Sequence, residues 1–406
     1  MGDFVGAGRT WRIETADREI LCLNLIDMSI DSTFQFYKNI IKLVQKYPFI
    51  ERARILLDYL KLYRAKGLTT DEYYEFEFED RDDDFRQSFL GLREQRYYLE
   101  QLNPFKYFIL ARNKYLAHKV LENTGVRISE LYCYYQPEGK NFESMECAGD
   151  IQNVLRILKT KKVGSCVIKT TESSHGDNVW VIKSIDYQDN DAVMVRFDGQ
   201  IIRLREVLGK DALIFESLVC QTKQFSDFNE SSVNTVRFMT TLWPDGTAKI
   251  IATFIKIGRA GKCVDNAGGG GNVDVCVDTD TGEIKYAIQY DGWRNIKDIE
   301  KHPDNGNQLN GVIIENWESI KAEVLMFQQA FPYCKAAGWD IAITDKGPVV
   351  IEVNDMWDRT GQYFIRRGWR NEIRDCYLAW KQAGYKAWRG RLENDFSNEK
   401  CRKMFE

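Results

Sequence analysis

The chain has 406 residues, of which 44% are hydrophobic and 29% are charged, as is ordinary for a globular protein with a large buried core. Its formal net charge of -4 argues against a general attraction to nucleic acid or to an anionic membrane. No apolar run approaches the roughly 18 residues needed to span a bilayer, so we expect no membrane insertion.

Cysteine and histidine usage narrows the chemistry. The ten cysteines show no C-x-x-C spacing, which argues against a zinc site and against a disulfide framework. Free thiols in a reducing compartment, and hence a cytoplasmic location, are the expectation. The start of the chain, Met1–Phe4, lacks the basic and apolar regions of a secretion signal. Three histidines leave little material for a histidine metal site or a Ser-His-Asp triad.

The first part of the chain is predicted to be helical. Apolar residues recur at helical spacing through residues 33–66, and residues 85–101 also have a helical pattern. Between them, the acidic residues of 71–84 predict a solvated face or loop. A further helix is predicted over residues 106–124, with Gly125 as part of its stop signal.

The pattern then changes to short β-type runs. These are predicted at Val163–Lys169, Val179–Ile185, Val193–Phe197, Ile201–Leu204, Ala212–Glu216, Val236–Leu242, Lys249–Ile257 and Val273–Val277. A helix follows at Glu318–Phe331, and the tail from 361 to 406 is helical, aromatic and basic. Sheet and helix in separate blocks predict the α+β class.

Two strands near the C-terminal end carry polar residues in an otherwise apolar pattern. Gly338–Thr344 and Pro348–Asn354 predict a tight hairpin. Because side chains alternate along a strand, Glu352 and Asn354 share one face, and Asp340 on the neighbouring strand can face them. Two carboxylates and an amide oxygen are the hard ligands that Mg²⁺ prefers, so the hairpin predicts a metal site. A surface hairpin with solvated acids is the alternative.

A strand, a small polar loop and a second strand occupy Cys166–Val179. Lys169 ends the first strand, and an ammonium in a buried position needs a partner such as an ATP phosphate. Ser173, Ser174 and Gly176 in the loop could offer backbone N–H groups to phosphates. An ordinary hairpin with one exposed lysine is equally compatible with this segment.

The run Ala212–Val219 ends a strand with an acid and then continues as an apolar segment. An exposed backbone edge at Ser217–Val219 could pair with adenine, and Glu216 could accept a hydrogen bond from the exocyclic amine. Taken alone, the pattern fits any strand end.

Two arginines lie on or beside predicted buried strands. Arg237 follows Asn234-Thr235-Val236, and Arg259 follows Ile257-Gly258. Guanidinium groups clamp phosphate and carboxylate oxygens through paired hydrogen bonds, which makes both arginines catalytic candidates. Structural ion pairs are the alternative for each.

A glycine-rich segment, Val264–Gly271, lies between two predicted strands. Four consecutive glycines are entropically costly unless the backbone must approach another molecule closely. Asp265, Asn266, Gly268 and Gly269 are therefore candidates for a substrate loop, and a simple linker is the alternative.

In this order, the segments resemble the ATP-grasp superfamily from residue 106 to about residue 360. The resemblance implies bound ATP and Mg²⁺, with phosphates held by Lys114 and Lys169, the loop Ser173, Ser174 and Gly176 over them, adenine at Glu216, Ser217 and Val219, and the metal at Asp340, Glu352 and Asn354. More narrowly, N-T-V-R, I-G-R-x-G-x-x-V-D-N-x-x-G-G and G-W-D-I-A-I-T-x-x-G-P-V-V-I-E-V-N resemble the sugar-transfer-associated ATP-grasp family.

Two features depart from relatives of the D-Ala–D-Ala ligase type. The arginine that precedes their first metal acid is replaced by Gly338-Trp339, so a transition-state arginine must come from Arg237 or Arg259. Their N-terminal α/β subdomain is not apparent. We therefore expect a helical N-terminal region (1–105), a small lid subdomain (106–215), a large subdomain with the metal site (216–360) and a helical tail (361–406).

The resemblance implies an ADP-forming carboxylate–amine ligase that acts through an acyl phosphate in surface-polysaccharide or natural-product biosynthesis. Arg259 and the loop at Gly268–Gly271 would then stabilise the tetrahedral oxyanion. The expected partners are a small-molecule acid and an amine, and the family association extends these to sugar-linked substrates. A kinase acting on a sugar or polyol hydroxyl, and a non-catalytic nucleotide-binding partner, are the alternatives.

Overall fold

The computed structural model describes residues 30–139, 146–172, 178–262 and 271–386. Within these ranges the chain forms two compact units. The first unit joins residues 30–81 to Leu90–Tyr97, and the second joins Asp82–Phe89 to the described residues from Tyr98 onward. None of the helices in these ranges is long and apolar enough to cross a membrane.

The first unit is helical, which confirms the prediction for residues 33–66. Helix α1 (Ile30–Gln45) and helix α2 (Arg52–Lys66) are joined through a 3₁₀ turn at Phe49–Glu51. The ring centroids of Phe36 and Tyr63 are 4.8 Å apart, so the two helices pack against each other as a helical hairpin. Helix α3 (Thr70–Glu75) follows.

The prediction of a solvated surface for residues 71–84 is wrong for Glu72, which is fully buried in the first turn of α3. One of its carboxylate oxygens accepts hydrogen bonds from the N–H and the hydroxyl of Thr69, both at 2.9 Å. The other oxygen accepts from the N–H of Leu92 at 2.5 Å. A carboxylate surrounded by donors at a helix N-terminus is stabilised there, which offsets the cost of burying its charge.

Helix α5 spans Leu92–Leu102. The other helices outside the first unit are α4 (Asp83–Ser88), α6 (Phe108–Arg112), α7 (Lys114–Leu121), α8 (Ile151–Thr160), α9 (Leu204–Val207), α10 (Lys223–Phe228), α11 (Trp317–Ala330), α12 (Thr360–Phe364) and α13 (Arg370–Gln382). The tail is thus helical within 360–382, and residues 387–406 lie outside the described ranges.

Two predicted helices are each divided in the structure. The pattern at 85–101 becomes α4 and α5, and the pattern at 106–124 becomes α6 and α7. The second break falls at Asn113, whose backbone is extended and whose Oδ1 accepts a hydrogen bond from the N–H of Leu116 at 3.1 Å. Asparagine is a preferred N-cap residue, so α7 begins immediately after it.

The second unit contains two seven-stranded sheets. The first has the order β2-β1-β7-β3-β4-β5-β6. Its strands are β1 (Leu131–Tyr135), β2 (Cys147–Ala148), β3 (Cys166–Thr170), β4 (Val179–Tyr187), β5 (Ala192–Arg196), β6 (Ile201–Arg203) and β7 (Leu213–Glu216). Strands β3 to β7 were predicted, whereas β1, β2 and α8 were not.

The second sheet has the order β12-β11-β10-β9-β8-β13-β14, and every neighbouring pair is antiparallel. Its strands are β8 (Thr235–Leu242), β9 (Ala248–Ile257), β10 (Val273–Val277), β11 (Ile284–Tyr290), β12 (Ile296–Ile299), β13 (Ala336–Thr344) and β14 (Gly347–Asn354). The predicted metal hairpin is β13–β14, and only β11 and β12 were not predicted.

Helices cover one face of each sheet. Helix α8 packs into the core of the first sheet beside Ile168 and Phe215. Helix α11 packs into the core of the second sheet, where the rings of Trp317 and Phe238 are 5.3 Å apart. Because neighbouring residues of a strand point to opposite faces, residues that alternate with these core positions are directed away from the helices. The predicted site residues on these strands, including Lys169, Glu216, Asp340 and Glu352, are among them.

The strands on either side of residue 216 belong to different sheets, with Glu216 itself closing β7. This distribution agrees with a lid and a large subdomain, while the residue boundaries given above stay a prediction.

Candidate functional site

A cavity of about 430 Å³ is lined by side chains from both sheets of the second unit. Lys169 and Glu216 come from the first sheet, and Lys256, Asp340 and Glu352 come from the second. Apolar side chains complete the wall, including Val167, Val181, Leu218, Val219 and Ile351. The cavity thus combines an apolar part with a strongly charged part.

The hairpin β13–β14 sets the two predicted metal acids side by side. Asp340 lies directly opposite Glu352 in the strand register, and Gly338 lies opposite Asn354. A register shift follows Asp340, which allows Ile351 also to reach the cavity. Asn354 donates a hydrogen bond from Nδ2 to the Gly338 carbonyl at 3.4 Å. Unlike Asp340 and Glu352, Asn354 does not line the cavity, so its place in the metal site stays a prediction.

Asn103, just after α5, holds the open end of this hairpin. Its side chain accepts a hydrogen bond from the N–H of Ala336 at 3.0 Å. It also donates to the carbonyls of Ala336, at 2.7 Å, and of Asp355, at 2.5 Å. Since Ala336 begins β13 and Asp355 follows β14, one buried amide links both strands that carry the acids.

Two cations from neighbouring strands surround Asp340. Arg237 on β8 binds it through two hydrogen bonds, Nε to Oδ1 at 2.6 Å and Nη2 to Oδ2 at 2.8 Å. The ammonium of Lys256 on β9 is 3.0 Å from Oδ1. Burial alone would raise the pKa of Asp340, but the adjacent Arg237 and Lys256 charges outweigh it and hold this pKa well below its usual range. Asp340 is therefore an ionised carboxylate.

The donor set of the hairpin fits Mg²⁺ better than a softer metal. Within the described part of the chain, no group of three or more His, Cys, Asp or Glu side chains is arranged to hold a metal. Two carboxylates and one amide oxygen would leave coordination positions for water and phosphate oxygens, as Mg²⁺ sites commonly do. The two cations on Asp340 would then have to yield part of its carboxylate to the metal.

Two lysines line the same cavity, and each lies close to an acid. The Lys169 ammonium is 2.8 Å from Glu216 Oε2, and the Lys114 ammonium is 3.5 Å from Glu352 Oε1. Burial lowers the pKa of Lys114, and the positive charge of Lys169 adds to that effect, although Glu352 opposes it. The N–H of Lys114 also bonds to the Thr171 carbonyl, which ties the start of α7 to the end of β3. The two ammonium groups thus form one cationic region.

The predicted adenine segment lines the same cavity. Glu216, Ser217 and Val219 all contribute to its wall. Ser217 is joined to Glu130, because its N–H donates to the Glu130 carbonyl at 2.8 Å and its hydroxyl accepts from the Glu130 N–H at 2.9 Å. These bonds fix the segment after β7, and the adenine contact itself stays a prediction.

The two predicted catalytic arginines form ion pairs, which is the alternative that their sequence context left open. Arg237 does not line the cavity itself, but it binds Asp340, which does. Arg259 binds Asp304 through two hydrogen bonds, Nε to Oδ2 at 2.8 Å and Nη2 to Oδ1 at 2.5 Å. Its Nη1 also donates to the Gly271 carbonyl at 3.0 Å. Arg259, two residues after β9, is therefore linked to Gly271, two residues before β10, and it does not line the cavity.

The Arg259–Asp304 pair predicts a pH-dependent contribution to stability. The hydrogen bonds from Arg259 hold the pKa of Asp304 well below its usual range. A lowered folded-state pKa stabilises the protein above the unfolded-state value of about 3.9, and this stabilisation is lost as the pH falls through the folded-state value. The difference in unfolding free energy between wild type and Asp304→Asn, measured in urea, should therefore shrink from pH 7 to pH 3. The exposed Asp345→Asn is the control, and a constant difference would contradict the assignment.

Lys256 is the main site residue that the sequence analysis missed. It is buried, it lines the cavity and it pairs with Asp340. The signal was present, since Lys256 interrupts the apolar strand Lys249–Ile257 just as Lys169 interrupts its own strand. A lysine in such a position requires a buried partner.

The motifs around Asn234 and Gly258 meet beside the cavity. Asn234 Oδ1 accepts a hydrogen bond from the Gly258 N–H at 3.3 Å. A Cβ atom on Gly258 would lie 2.4 Å from Ser232 Oγ, so a larger residue at this position would displace the Ser232 hydroxyl. Ser231 and Ser232 both line the cavity, and the Ser231 hydroxyl accepts a hydrogen bond from the Gly261 N–H at 3.0 Å.

Some predicted site residues lie outside the described ranges. These are the flap residues Ser173, Ser174 and Gly176 and the substrate-loop residues Asp265, Asn266, Gly268 and Gly269. Their roles stay predictions.

Comparison with curated proteins gives no significant match. Among solved structures, the VanG D-Ala:D-Ser ligase from Enterococcus faecalis is 11% identical, with a TM-score of 0.37, over 66% of this chain and 61% of that one. A biotin carboxylase from Campylobacter jejuni is 8% identical, with a TM-score of 0.39, over 68% of this chain and 48% of that one. The chain thus spans about half to three fifths of these proteins.

The model of the sugar-transfer-associated ATP-grasp family matches residues 93–375, which is well over half of the chain. The matched region includes both sheets, the cavity between them and the β13–β14 hairpin. The prediction of an α+β ATP-grasp fold is therefore confirmed, and this chain belongs to the sugar-transfer-associated ATP-grasp family.

Proposed function

We propose that this protein is an ATP- and Mg²⁺-dependent ligase that joins a carboxylate to an amine through an acyl phosphate. The observation that carries the proposal is the convergence of Asp340 and Glu352 with Lys114 and Lys169 on one cavity. Phosphoryl transfer needs its negative charge neutralised from several sides, and this cavity provides side chains of both signs for that purpose.

The apolar part of the cavity supports a purine site. Val167 and Val181 from the first sheet line this part together with Leu218 and Ile351. Such a slot suits a flat aromatic base, whose edge is then selected by a few polar groups. Glu216, at the boundary between the apolar and charged parts, would read the amino group of adenine while its other oxygen retains Lys169.

Asp340, Glu352 and Asn354 would hold the Mg²⁺ ion. When bound, the ion supplies charge neutralisation between phosphate oxygens. Arg237 and Lys256 keep Asp340 ionised and oriented toward the cavity. Lys114 pairs with Glu352 at a longer distance of 3.5 Å. The side chains of this sheet thus prepare the oxygen ligands before substrates arrive.

In the proposed reaction, a carboxylate oxygen of the acid attacks the γ-phosphorus of ATP, and ADP leaves. The amine nitrogen then attacks the acyl carbon, inorganic phosphate leaves, and the nitrogen loses a proton to form the amide. Lys114, Lys169 and Lys256 supply positive charge around the anionic groups. We assign Arg259 a positioning role at the base of the glycine-rich loop, because its guanidinium is bound to Asp304 and Gly271.

We further propose that the substrates are sugar-linked acids or amines of surface-polysaccharide or natural-product biosynthesis, a proposal that the family association supports. The test measures ADP release from Mg·ATP with a panel of amino acids, uronic acids and nucleotide-linked sugars, with hydroxylamine present. We expect ADP together with a hydroxamate of the true acid, since hydroxylamine traps an acyl phosphate. Sugar-dependent ADP release with a phosphorylated product and no hydroxamate would instead establish a kinase.

Nucleotide binding can be followed separately from turnover. Among the cysteines that the structure describes, Cys220 is the exposed one, and it lines the cavity. Mg·ATP should slow its alkylation by N-ethylmaleimide, as located by peptide mass spectrometry. The absence of both protection and ADP release would contradict the proposed function.

A further inference from the structure

The helical hairpin of the first unit exposes an unusual number of large apolar side chains. In its turn, Phe49 is 82% exposed and Ile50 is 88% exposed. Along α1, Phe34, Tyr37 and Ile41 are also exposed, and their spacing places them on one side of the helix. A concentration of exposed apolar groups of this kind marks an interaction surface.

The exposed charges along the hairpin itself, residues 34–65, have one sign, whereas α3, which contacts α1, carries the exposed Asp71. Between residues 34 and 65 the exposed charged residues are all basic: Lys38, Lys42, Lys46, Arg54, Lys61 and Arg64. The two acidic residues of this stretch are partly buried and already bonded. Glu51 pairs with Arg54 at 2.8 Å, and Asp58 accepts a hydrogen bond from the Tyr73 hydroxyl at 2.7 Å. A basic surface of this kind contrasts with the net charge of -4 for the chain.

The apolar and basic groups are arranged side by side on α1. Lys38 and Lys42 each follow an exposed apolar residue by one position, which rotates them about 100° around the helix axis. An apolar stripe next to a lysine stripe is the pattern of a helix that lies in a membrane interface, with its apolar side among acyl chains and its lysines at the headgroups.

We propose that the helical hairpin is a peripheral membrane-binding surface, with Phe49 and Ile50 inserted among the headgroups of an anionic bilayer. The basic side chains would contact lipid phosphates. The basic side chains favour an anionic partner. The exposed apolar groups favour a bilayer over a nucleic acid as that partner. Ile41, Ile50 and Leu57 gain free energy only in an apolar medium, which a bilayer offers and the phosphate backbone of a nucleic acid does not.

The test is flotation of the full chain with vesicles of phosphatidylcholine alone or mixed with phosphatidylglycerol, at physiological ionic strength. We expect binding to the anionic vesicles only. Phe49→Ser combined with Ile50→Ser should weaken the partition at least about tenfold, because two exposed apolar groups no longer enter the interface. Lys38→Gln combined with Lys42→Gln should weaken it about thirtyfold.

Met326→Ser is the matched control, because Met326 is an exposed apolar residue on α11, outside the hairpin. All substituted residues are exposed, so thermal unfolding should be close to that of wild type, and it is measured for each variant. Absence of binding to anionic vesicles, or equal binding by the Phe49/Ile50 variant, would overturn the proposal. A wild-type dimer that the Phe49/Ile50 variant dissociates would also overturn the proposal. So would binding to an oligonucleotide that depends on the lysines, in the absence of vesicle binding.

Discussion

Replacing Glu352 by glutamine should lower the rate of ADP formation on the order of 10³-fold and leave folding stability nearly unchanged. The amide keeps the shape of the side chain but removes a charge from the proposed metal site, where several kcal/mol of transition-state stabilisation are at stake. The stability effect is small because Glu352 is about a third exposed and its partner Lys114 is 3.5 Å away.

Asp340→Asn should lower turnover to a similar extent as Glu352→Gln, but it should also destabilise the fold. Asp340 is buried, and its loss leaves the charges of Arg237 and Lys256 without their carboxylate. Breaking a buried ion pair in this way costs about 3–5 kcal/mol. The two variants should therefore lose similar activity but differ in stability. Steady-state ADP release measures the first effect, and urea unfolding measures the second.

Two further variants make this comparison sharper. Asp345→Asn, in the exposed turn of the same hairpin, should retain wild-type activity and stability. Adding Lys256→Met to Asp340→Asn should recover part of the lost stability, because it removes one of the two cations that pair with the Asp340 carboxylate. Full activity of either the Glu352 or the Asp340 variant would refute the assigned metal site.

The second large effect is expected at Lys169. Lys169→Met should reduce ADP release by about 10²–10³-fold, since it removes a cation that neutralises the transferred phosphates. Protection of Cys220 by Mg·ATP should require higher nucleotide concentrations in this variant. The fold should also lose stability, because the buried Glu216 loses the ammonium that lies 2.8 Å from its carboxylate.

Paired variants separate stability from chemistry at this position. Lys169→Met with Glu216→Gln removes both charges and should recover stability without recovering activity. Lys183→Met, an exposed lysine on the neighbouring strand β4, is the control and should behave like wild type. Retention of turnover and of nucleotide protection by Lys169→Met would show that Lys169 pairs only with Glu216.

The metal hairpin could be predicted because its information is local. Alternation along β13 and β14 fixes which side chains share a face, and a short turn fixes the register. The sequence therefore predicts that Asp340 faces Glu352 from the neighbouring strand. The partners of these acids could not be found in this way. Arg237 and Lys256 are about a hundred residues away in the sequence, and only the order of the strands in the sheet brings them to Asp340.

The missed elements have similar explanations. Strand β1, Leu131-Tyr132-Cys133-Tyr134-Tyr135, is a short apolar and aromatic run without polar alternation, so its periodicity does not distinguish a strand from a helix. Asp304, the partner of Arg259, is supplied by a loop 45 positions later. Glu72 appeared as one member of an acidic run, and its burial follows from its donors at Thr69 and Leu92.

The hydrogen bonds of Asn103 have a consequence for shortening this protein. A fragment that begins at the predicted boundary after residue 105 would lack this side chain. The first N–H of β13 and the carbonyls of Ala336 and Asp355 would then lose their partners at the open end of the hairpin. Buried backbone groups without partners cost about 1–3 kcal/mol each, so the open end of the hairpin that carries the two acids would be destabilised. An independently expressed catalytic fragment must therefore begin ahead of Asn103.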